Sequence, residues 1–283
     1  MEQKQLKILF FGDITGRQGR NALKSFLASN KDENTFVIVN IENASHGFGL
    51  TKKNYNDLTE SGVDCFTSGN HIWDKKDIYE YINEAHMLTR PINYPAGTPG
   101  KGSQVFEFNG FKIGVINVLG RVFMPPMDSP WQIVVDEVKR LQSDGVENIF
   151  IDFHAEATAE KICFSKYLAN EFNTADFALI KGFFGTHTHV QTADEKIVNG
   201  MAYITDAGFC GSADSVIGME YSTSLKRLST SLPERYEIAE SGLAQINGVE
   251  VLIDRARATS IKRINVLVDN ENNEKEADLD SRG

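Results

Sequence analysis

Residues 6–20 read LKILFFGDITGRQGR, and their order decides the fold class. Leu6–Phe11 is an apolar run of strand length, the mark of a strand buried on both faces as parallel sheets require. A glycine-punctuated loop is predicted over residues 12–19, with Asp13 just past the strand end. Ala22, Leu23, Phe26 and Leu27 then recur at helical spacing. After a polar turn at 30–34, residues 35–41 (TFVIVNI) read as a second buried strand. A β-α-β opening of this kind points to an α/β protein with helices layered over sheet.

Outward from that unit the pattern continues. Residues 64–67 are predicted as a third strand, and residues 75–84 as a helix with Ile78, Tyr81 and Ile82 on one face. Residues 106–108 and 112–117 flank Asn109-Gly110, a two-residue hairpin signal. Helices are predicted at 131–141 and 157–172, and strands at 148–153, 177–184 and 201–205, with Gly182 marking an irregularity. Past Pro233 the pattern turns β-rich, and Asn247-Gly248 predicts a second hairpin between residues 242–246 and 249–253. No Pro/Ser linker divides the chain, so residues 1–268 are read as one domain. Residues 269–283 carry −4 of the net charge of −10 and are expected to form a disordered acidic tail.

Bulk properties narrow the function. Hydrophobic residues at 41% and charged residues at 24% allow an ordinary core without staples. A net charge of −10 argues against a stable nucleic-acid complex, which needs clustered Lys and Arg. A small anionic substrate stays open, because metal ions supply positive charge locally. Cys65, Cys163 and Cys210 are scattered and odd in number, so buried free thiols in a reducing compartment are expected. The apolar run before Gly12 is too short for a signal-peptide core or a membrane span. A cytoplasmic location without membrane contact is expected.

Five predicted strand ends carry donors of the metal-binding kind: Asp13, Glu42-Asn43, Asn70-His71, His154 and His187-x-His189. Each alone has a plain reading, since an Asp after a strand ordinarily caps a helix and polar pairs ordinarily turn the chain. Together they differ. Sites in open α/β sheets form beyond the carboxyl ends of strands, and four of the six histidines fall there. Carboxylate, amide and imidazole donors without thiolate suit iron, manganese or zinc in a reactive centre over a structural zinc. The donors outnumber what one four-coordinate ion takes, so two ions sharing a carboxylate fit better.

The order Asp, Glu-Asn, Asn-His, His, Gly-x-His-x-His resembles the calcineurin-like metallophosphoesterase superfamily. The stretches GDITGRQGR (12–20), NIENASHGFGLT (40–51), TSGNHIWDKK (67–76), RPINYPAGTPGKG (90–102), IDFHAEATAEK (151–161) and GTHTHVQTAD (185–194) resemble its YmdB-like branch. The likeness runs over residues 6–254. It implies a four-layer α/β/β/α sandwich and a phosphodiesterase that hydrolyses cyclic nucleotides, 2′,3′ or 3′,5′, by metal-hydroxide attack on phosphorus.

The resemblance also implies two divalent or trivalent transition-metal ions per chain, iron or manganese first and zinc next. The first would be held by Asp13, Glu42, Asn43 and His189, and the second by Glu42, Asn70, His154 and His187, with Glu42 bridging. The usual superfamily opening, Asp-x-His, is Asp13-Ile14-Thr15 here. As in the YmdB-like branch, Asn43 takes the vacated place and Glu42 replaces the usual bridging Asp. His71, one residue beyond Asn70, is expected as the catalytic general acid for the departing sugar oxygen. Orienting a carboxylate is its plainer role.

Other features are weaker. His46 is read as a substrate or loop-packing residue, and His86, Trp73 and Trp131 as structural. Residues 97–102 (GTPGKG) lack Walker spacing and are read as a rigid turn. The MPPM loop at 124–127 is expected to be exposed, at the rim of the site or at a contact between copies if the chain forms a homo-oligomer. Gly12, Gly16 and Gly19 lack the spacing of a dinucleotide-binding loop. Two competing readings stand beside the phosphodiesterase: a non-catalytic or moonlighting regulatory protein that keeps the metal site, and a phosphomonoesterase.

Overall fold

Successive side chains of a strand face opposite ways, so strands that are apolar at every position need cover on both faces. The computed structural model, which describes residues 5–269, supplies that cover with two sheets packed back to back between helices. The chain runs β1 (Leu6–Phe11), β2 (Asp13–Ile14), α1 (Gly16–Asn30), β3 (Thr35–Asn40), α2 (Lys52–Glu60), β4 (Cys65–Thr67) and α3 (Ile78–Tyr81). There follow β5 (Ser103–Phe108), β6 (Phe111–Leu119), α4 (Pro130–Ser143), β7 (Asn148–His154), α5 (Thr158–Phe172) and β8 (Ile180–Thr186). The rest is β9 (Lys196–Val198), β10 (Met201–Ile204), β11 (Phe209–Ser212), α6 (Tyr221–Thr230), β12 (Ala244–Ile253) and β13 (Ala258–Val268).

The first sheet has the order β2-β11-β12-β1-β3-β4, with β13 on β12; the second is β5-β6-β7-β8-β10-β9. Leu6, Ile8 and Phe10 of β1 and Phe36 and Ile38 of β3 face inward, against Phe150, Phe184 and Ile204 of the second sheet. The alternate residues Leu9, Phe11, Val37 and Val39 face out onto α1 to α3. Ile149, Ile151, Phe153 and Phe183 do the same beneath α4 and α5. The rings of Phe10 and Phe184 meet at 4.6 Å across the middle. The result is the expected α/β/β/α sandwich. β1, β3 and β4 run parallel, as do β6, β7, β8 and β10. Parallel strands end together, which is what gathers the site.

Asn109-Gly110 makes the predicted hairpin, both residues at positive φ (50° and 74°) between β5 and β6. Asn247-Gly248 does not. β12 runs straight through it, paired to β1 on one side and β13 on the other, and the true hairpin turns after Ile253. Gly248 is there for close approach: a Cβ would run into the carbonyl oxygen of Phe10. The predicted loop at 12–19 is also shorter than expected, because β2 pairs with β11 and α1 starts at Gly16. Of the helix expected at 75–84 only Ile78–Tyr81 is helical, although Ile78, Tyr81 and Ile82 are buried as foreseen.

The irregularity near Gly182 is a bulge in the β7–β8 pairing that skips Lys181. Its buried ammonium donates to the carbonyls of Ala178, Arg255 and Ala256 at 2.6, 3.1 and 2.9 Å. Cys65 and Cys210 are buried, but Cys163 is exposed, on the outer side of α5. Trp73 and Trp131 are half-buried against the outer cores. Among the described residues no helix is long and apolar enough to cross a membrane. The acidic segment expected over 269–283 lies, from residue 270 onward, outside the described residues.

Candidate metal centre

The first sheet delivers Asp13 on β2, Glu42 and Asn43 after β3, and Asn70 and His71 after β4. The second delivers His154 as the last residue of β7, and His187 and His189 just after β8. These residues meet where the two sheets' carboxyl ends face each other. Asp13 Oδ2 accepts the backbone N–H of His187 at 3.1 Å and so ties the two sheets together. Asp13 Oδ1 lies 3.7 Å from both His154 Nδ1 and His189 Nε2. His189 Nε2 stands 3.1 Å from Asn43 Oδ1. Glu42 Oε1 is 3.4 Å from His154 Nε2 and accepts the backbone N–H of His71 at 2.7 Å. His187 Nδ1 is 3.1 Å from His154 Nε2.

A layer of polar contacts behind these side chains fixes the imidazoles. Thr186 Oγ1 donates to Asp152 Oδ1 at 2.7 Å, so it accepts from His154 Nδ1 at 2.9 Å and turns Nε2 toward Glu42. Asp152 is held further by Asn40 Nδ2 at 2.8 Å and by the Thr67 hydroxyl. His189 Nδ1 donates to the carbonyl of Ile217 at 2.8 Å, which leaves Nε2 for Asn43 and Asp13. Both His187 (φ 97°) and His189 (φ 63°) sit in the left-handed region, a strain that clusters at functional sites.

A buried ion pair braces this loop. Lys161 Nζ meets Asp206 Oδ2 at 2.7 Å and the Thr186 carbonyl at 2.9 Å, both side chains being 1% exposed. Asp206 Oδ2 also takes the N–H and hydroxyl of Thr188, at 3.2 and 2.8 Å. Lys161→Met is expected to leave Asp206 uncompensated and to destabilise the fold by about 3–5 kcal/mol. The midpoint of denaturant unfolding checks this, and an unchanged midpoint would show that the pair braces nothing.

The electrostatics follow from burial and pairing. Burial works to raise Asp13, but the neighbouring His189 and His154 imidazoles and the N–H of His187 outweigh it and hold the carboxyl well below its usual range. Burial likewise opposes protonation of His154, yet Glu42, Asp13 and Asp152 lift it to about 9. His187 is lowered to about 3 by burial and by the neighbouring His154 charge. Burial pushes Asp152 up to about 6 despite its hydrogen bonds. The cluster thus holds anionic oxygens and imidazoles against one another, and a cation bound there would compete with the proton on His154.

The donor set fits metal ions. Asp13 Oδ1, Glu42 Oε2 and Asn70 Oδ1 are buried oxygens with no hydrogen-bond partner, which native structures rarely leave without a ligand. A Cβ on Gly69 would run into His154 and Glu42 Oε2, so only glycine lets β4 come this close. Among the described residues no three His, Cys, Asp or Glu side chains already stand in a coordination polyhedron. The donors lean on one another instead, and the amides of Asn43 and Asn70 belong to the set. His46 and His86 are exposed and stand apart from it, as does the turn at 97–102, which is pinned by Arg90 donating to the carbonyls of Thr98 and Pro99.

Besides the polar layer and the ion pair above, sequence reading missed three features that surround the donors. His71 Nδ1 bonds Asp74 Oδ2 at 2.8 Å, and its ring meets Phe48 edge-on at 4.9 Å. Glu156 Oε2 lies 3.3 Å from His187 Nε2. The third is an apolar wall from the segment around α6. With Glu42, Asn43, His71, His187 and His189 as its floor, that wall closes a cleft of about 300 Å³.

Two back-to-back mixed sheets between helices make an α/β fold that matches metallophosphoesterase-like structures. The chain belongs to the YmdB-like protein family, whose pattern matches residues 9–264, and membership implies metal ions. A 2′,3′-cyclic-nucleotide 2′-phosphodiesterase from Bacillus subtilis (strain 168) is 42% identical over 269 residues, covering 94% of this chain and 98% of that protein. A solved structure of a hypothetical protein from Thermus thermophilus superposes with a TM-score of 0.85 at 34% identity, covering 93% of this chain and 100% of that one. That of a novel phosphatase from Mycoplasma pneumoniae gives 0.84 at 35% identity and 94% of each chain.

Proposed function

We propose that this chain is a dinuclear-metal phosphodiesterase acting on cyclic mononucleotides, the 2′,3′-cyclic forms first. The observation that carries the reading is the gathering of partnerless buried oxygens on Asp13, Glu42 and Asn70 with the imidazoles of His154, His187 and His189, a cluster that opens through Glu42, His187 and His189 onto a cleft of about 300 Å³. The name of the Bacillus subtilis relative supports the cyclic substrate. Asp13, Asn43 and His189 would hold one ion, Asn70, His154 and His187 the other, and Glu42 both. Iron or manganese suits this oxygen and nitrogen set, with zinc next.

When bound, the ions supply an activated water and offset the phosphoryl charge. The remaining work belongs to the chain. His71 gives a proton from Nε2 to the departing sugar oxygen. Asp74 fixes the ring through Nδ1, and the His71 backbone is tethered to Glu42. The Thr186–Asp152 contact keeps His154 turned toward the shared carboxylate.

The Mycoplasma pneumoniae structure is that of a phosphatase, which makes monoester hydrolysis the competing reading. Protein reconstituted with iron or manganese is expected to hold about two ions per chain. It is expected to turn over 2′,3′-cyclic AMP faster than p-nitrophenyl phosphate. Elemental analysis joined to steady-state rates decides. Saturation at a single ion sinks the dinuclear centre, a monoester preference sinks the substrate class, and no turnover of any diester favours a regulatory protein.

A further inference from the structure

We propose that the side of the cleft built by α6 and the turn before it is a nucleobase subsite, with Ser224 Oγ as its polar contact to the base edge. This rests on the phosphodiesterase reading above. α6 is an unusual surface helix. Its one buried side chain is Ser224, 1% exposed, while Leu225 and Leu228 are 48% and 70% exposed. A helix ordinarily turns an apolar stripe inward, and a buried hydroxyl ordinarily has a partner. Ser224 Oγ has none, and Ser224 lines the cleft.

The surroundings select the occupant. Phe48, Ile217, Met219, Leu228 and Tyr236 line this side with Ser224, and no Lys or Arg is among the lining residues. A second phosphate or a carboxylate would be desolvated there without a partner. A flat ring with apolar faces and a hydrogen-bonding edge would not. The volume of about 300 Å³ sits at the low end of small-molecule sites, which span roughly 300–1,000 Å³. That admits a mononucleotide.

The wall is fixed relative to the chemistry. The carbonyl of Ile217 receives the hydrogen bond from His189 Nδ1 at 2.8 Å. Ile217 itself sits at φ 49°, a conformation rarely adopted by β-branched residues. Such strain persists where the surroundings over-determine it, here through a residue of the metal centre. A phosphate on the floor and a base against α6 are therefore held at a set offset. A hydroxyl both donates and accepts, so Ser224 serves purines and pyrimidines alike and adds affinity without excluding a base.

The test compares metal-loaded enzyme on 2′,3′-cyclic AMP and on methyl p-nitrophenyl phosphate, a diester without a base. Ser224→Ala is expected to raise KM for cyclic AMP about 3–10-fold, the worth of one hydrogen bond, with kcat nearly kept. Leu228→Asp, at an exposed position that folding tolerates, is expected to raise it about tenfold by setting a charge beside the base. In each variant the effect on the base-free diester should be clearly smaller. Equal effects on both diesters, or none on either, overturn the subsite. Adenosine, which has no phosphate, separates this inference from the reading it rests on. Saturation-transfer NMR on protein loaded with diamagnetic zinc should show adenosine contact in the wild type and its loss in Leu228→Asp. Adenosine contact without cyclic AMP turnover would sink the phosphodiesterase reading alone, and no contact in the wild type overturns the subsite.

Discussion

Glu42→Gln is expected to weaken both metal positions at once and to lower phosphodiester turnover by at least about 10²–10³-fold, the scale of losing one preorganised electrostatic group. Glu42 is 1% exposed, and its two oxygens face different neighbours. Oε1 holds the His71 N–H and lies near His154, while Oε2 is buried with no partner beside Gly69. Glutamine keeps the shape but removes the charge that two cations would share. Asp13→Asn should behave differently, because Asp13 Oδ2 is engaged by the His187 N–H and only Oδ1 faces the cluster. It is expected to weaken one ion chiefly. Elemental analysis of both variants after identical reconstitution distinguishes them. Both ions retained in Glu42→Gln, with near-normal turnover, would move the shared ligand elsewhere.

The parts of this fold legible in the sequence are those whose burial is two-sided. β1, β3 and β7 are buried at all but one of their positions and mostly apolar, because cores lie on both faces, and parallel strands covered on both faces read as such runs. What escaped notice depends on partners distant in the chain. β2 and β11 are short and exist because they pair with each other across nearly two hundred residues. β12 was misread at Asn247-Gly248, since a glycine needed to let β1 approach looks in sequence like a turn glycine. α2 buries only Asn54 and Leu58, too few positions to show a helical stripe.

The candidate site divides the same way. Its donors were visible because each immediately follows a strand end, so a correct strand pattern already places them together. The residues that orient them were not. Asp152 reaches Thr67 and Asn40 across the sheet junction, and Asp206 clamps Thr188 from the end of β10. Neither shows a spacing that sequence reading could use. Asp74 had a signal, lying three residues beyond His71 in a turn, but only the ring geometry gives it a role. α6 was missed although Tyr221, Leu225 and Leu228 recur at helical spacing; the structure leaves that stripe exposed and buries Ser224.

His71→Ala is expected to lose about 10²–10⁴-fold in turnover of 2′,3′-cyclic nucleotides while its metal content stays at the wild-type level. The residue lines the cleft beside Glu42 and His187, but only its backbone touches a candidate ligand. With Nδ1 committed to Asp74, Nε2 is the nitrogen left for the substrate. A departing sugar alkoxide needs that proton, whereas p-nitrophenolate leaves readily without one. The loss should therefore be much smaller for p-nitrophenyl diesters. Asp74→Asn should show the same substrate dependence in weaker form, because it loosens the ring without removing it. A residue that merely positions the metal centre behaves otherwise: occupancy falls, and both substrate types suffer alike. Metal content and two turnover numbers on one variant thus separate the roles. Equal losses with reduced metal would mean that His71 shapes the centre and that the leaving group's proton comes from water.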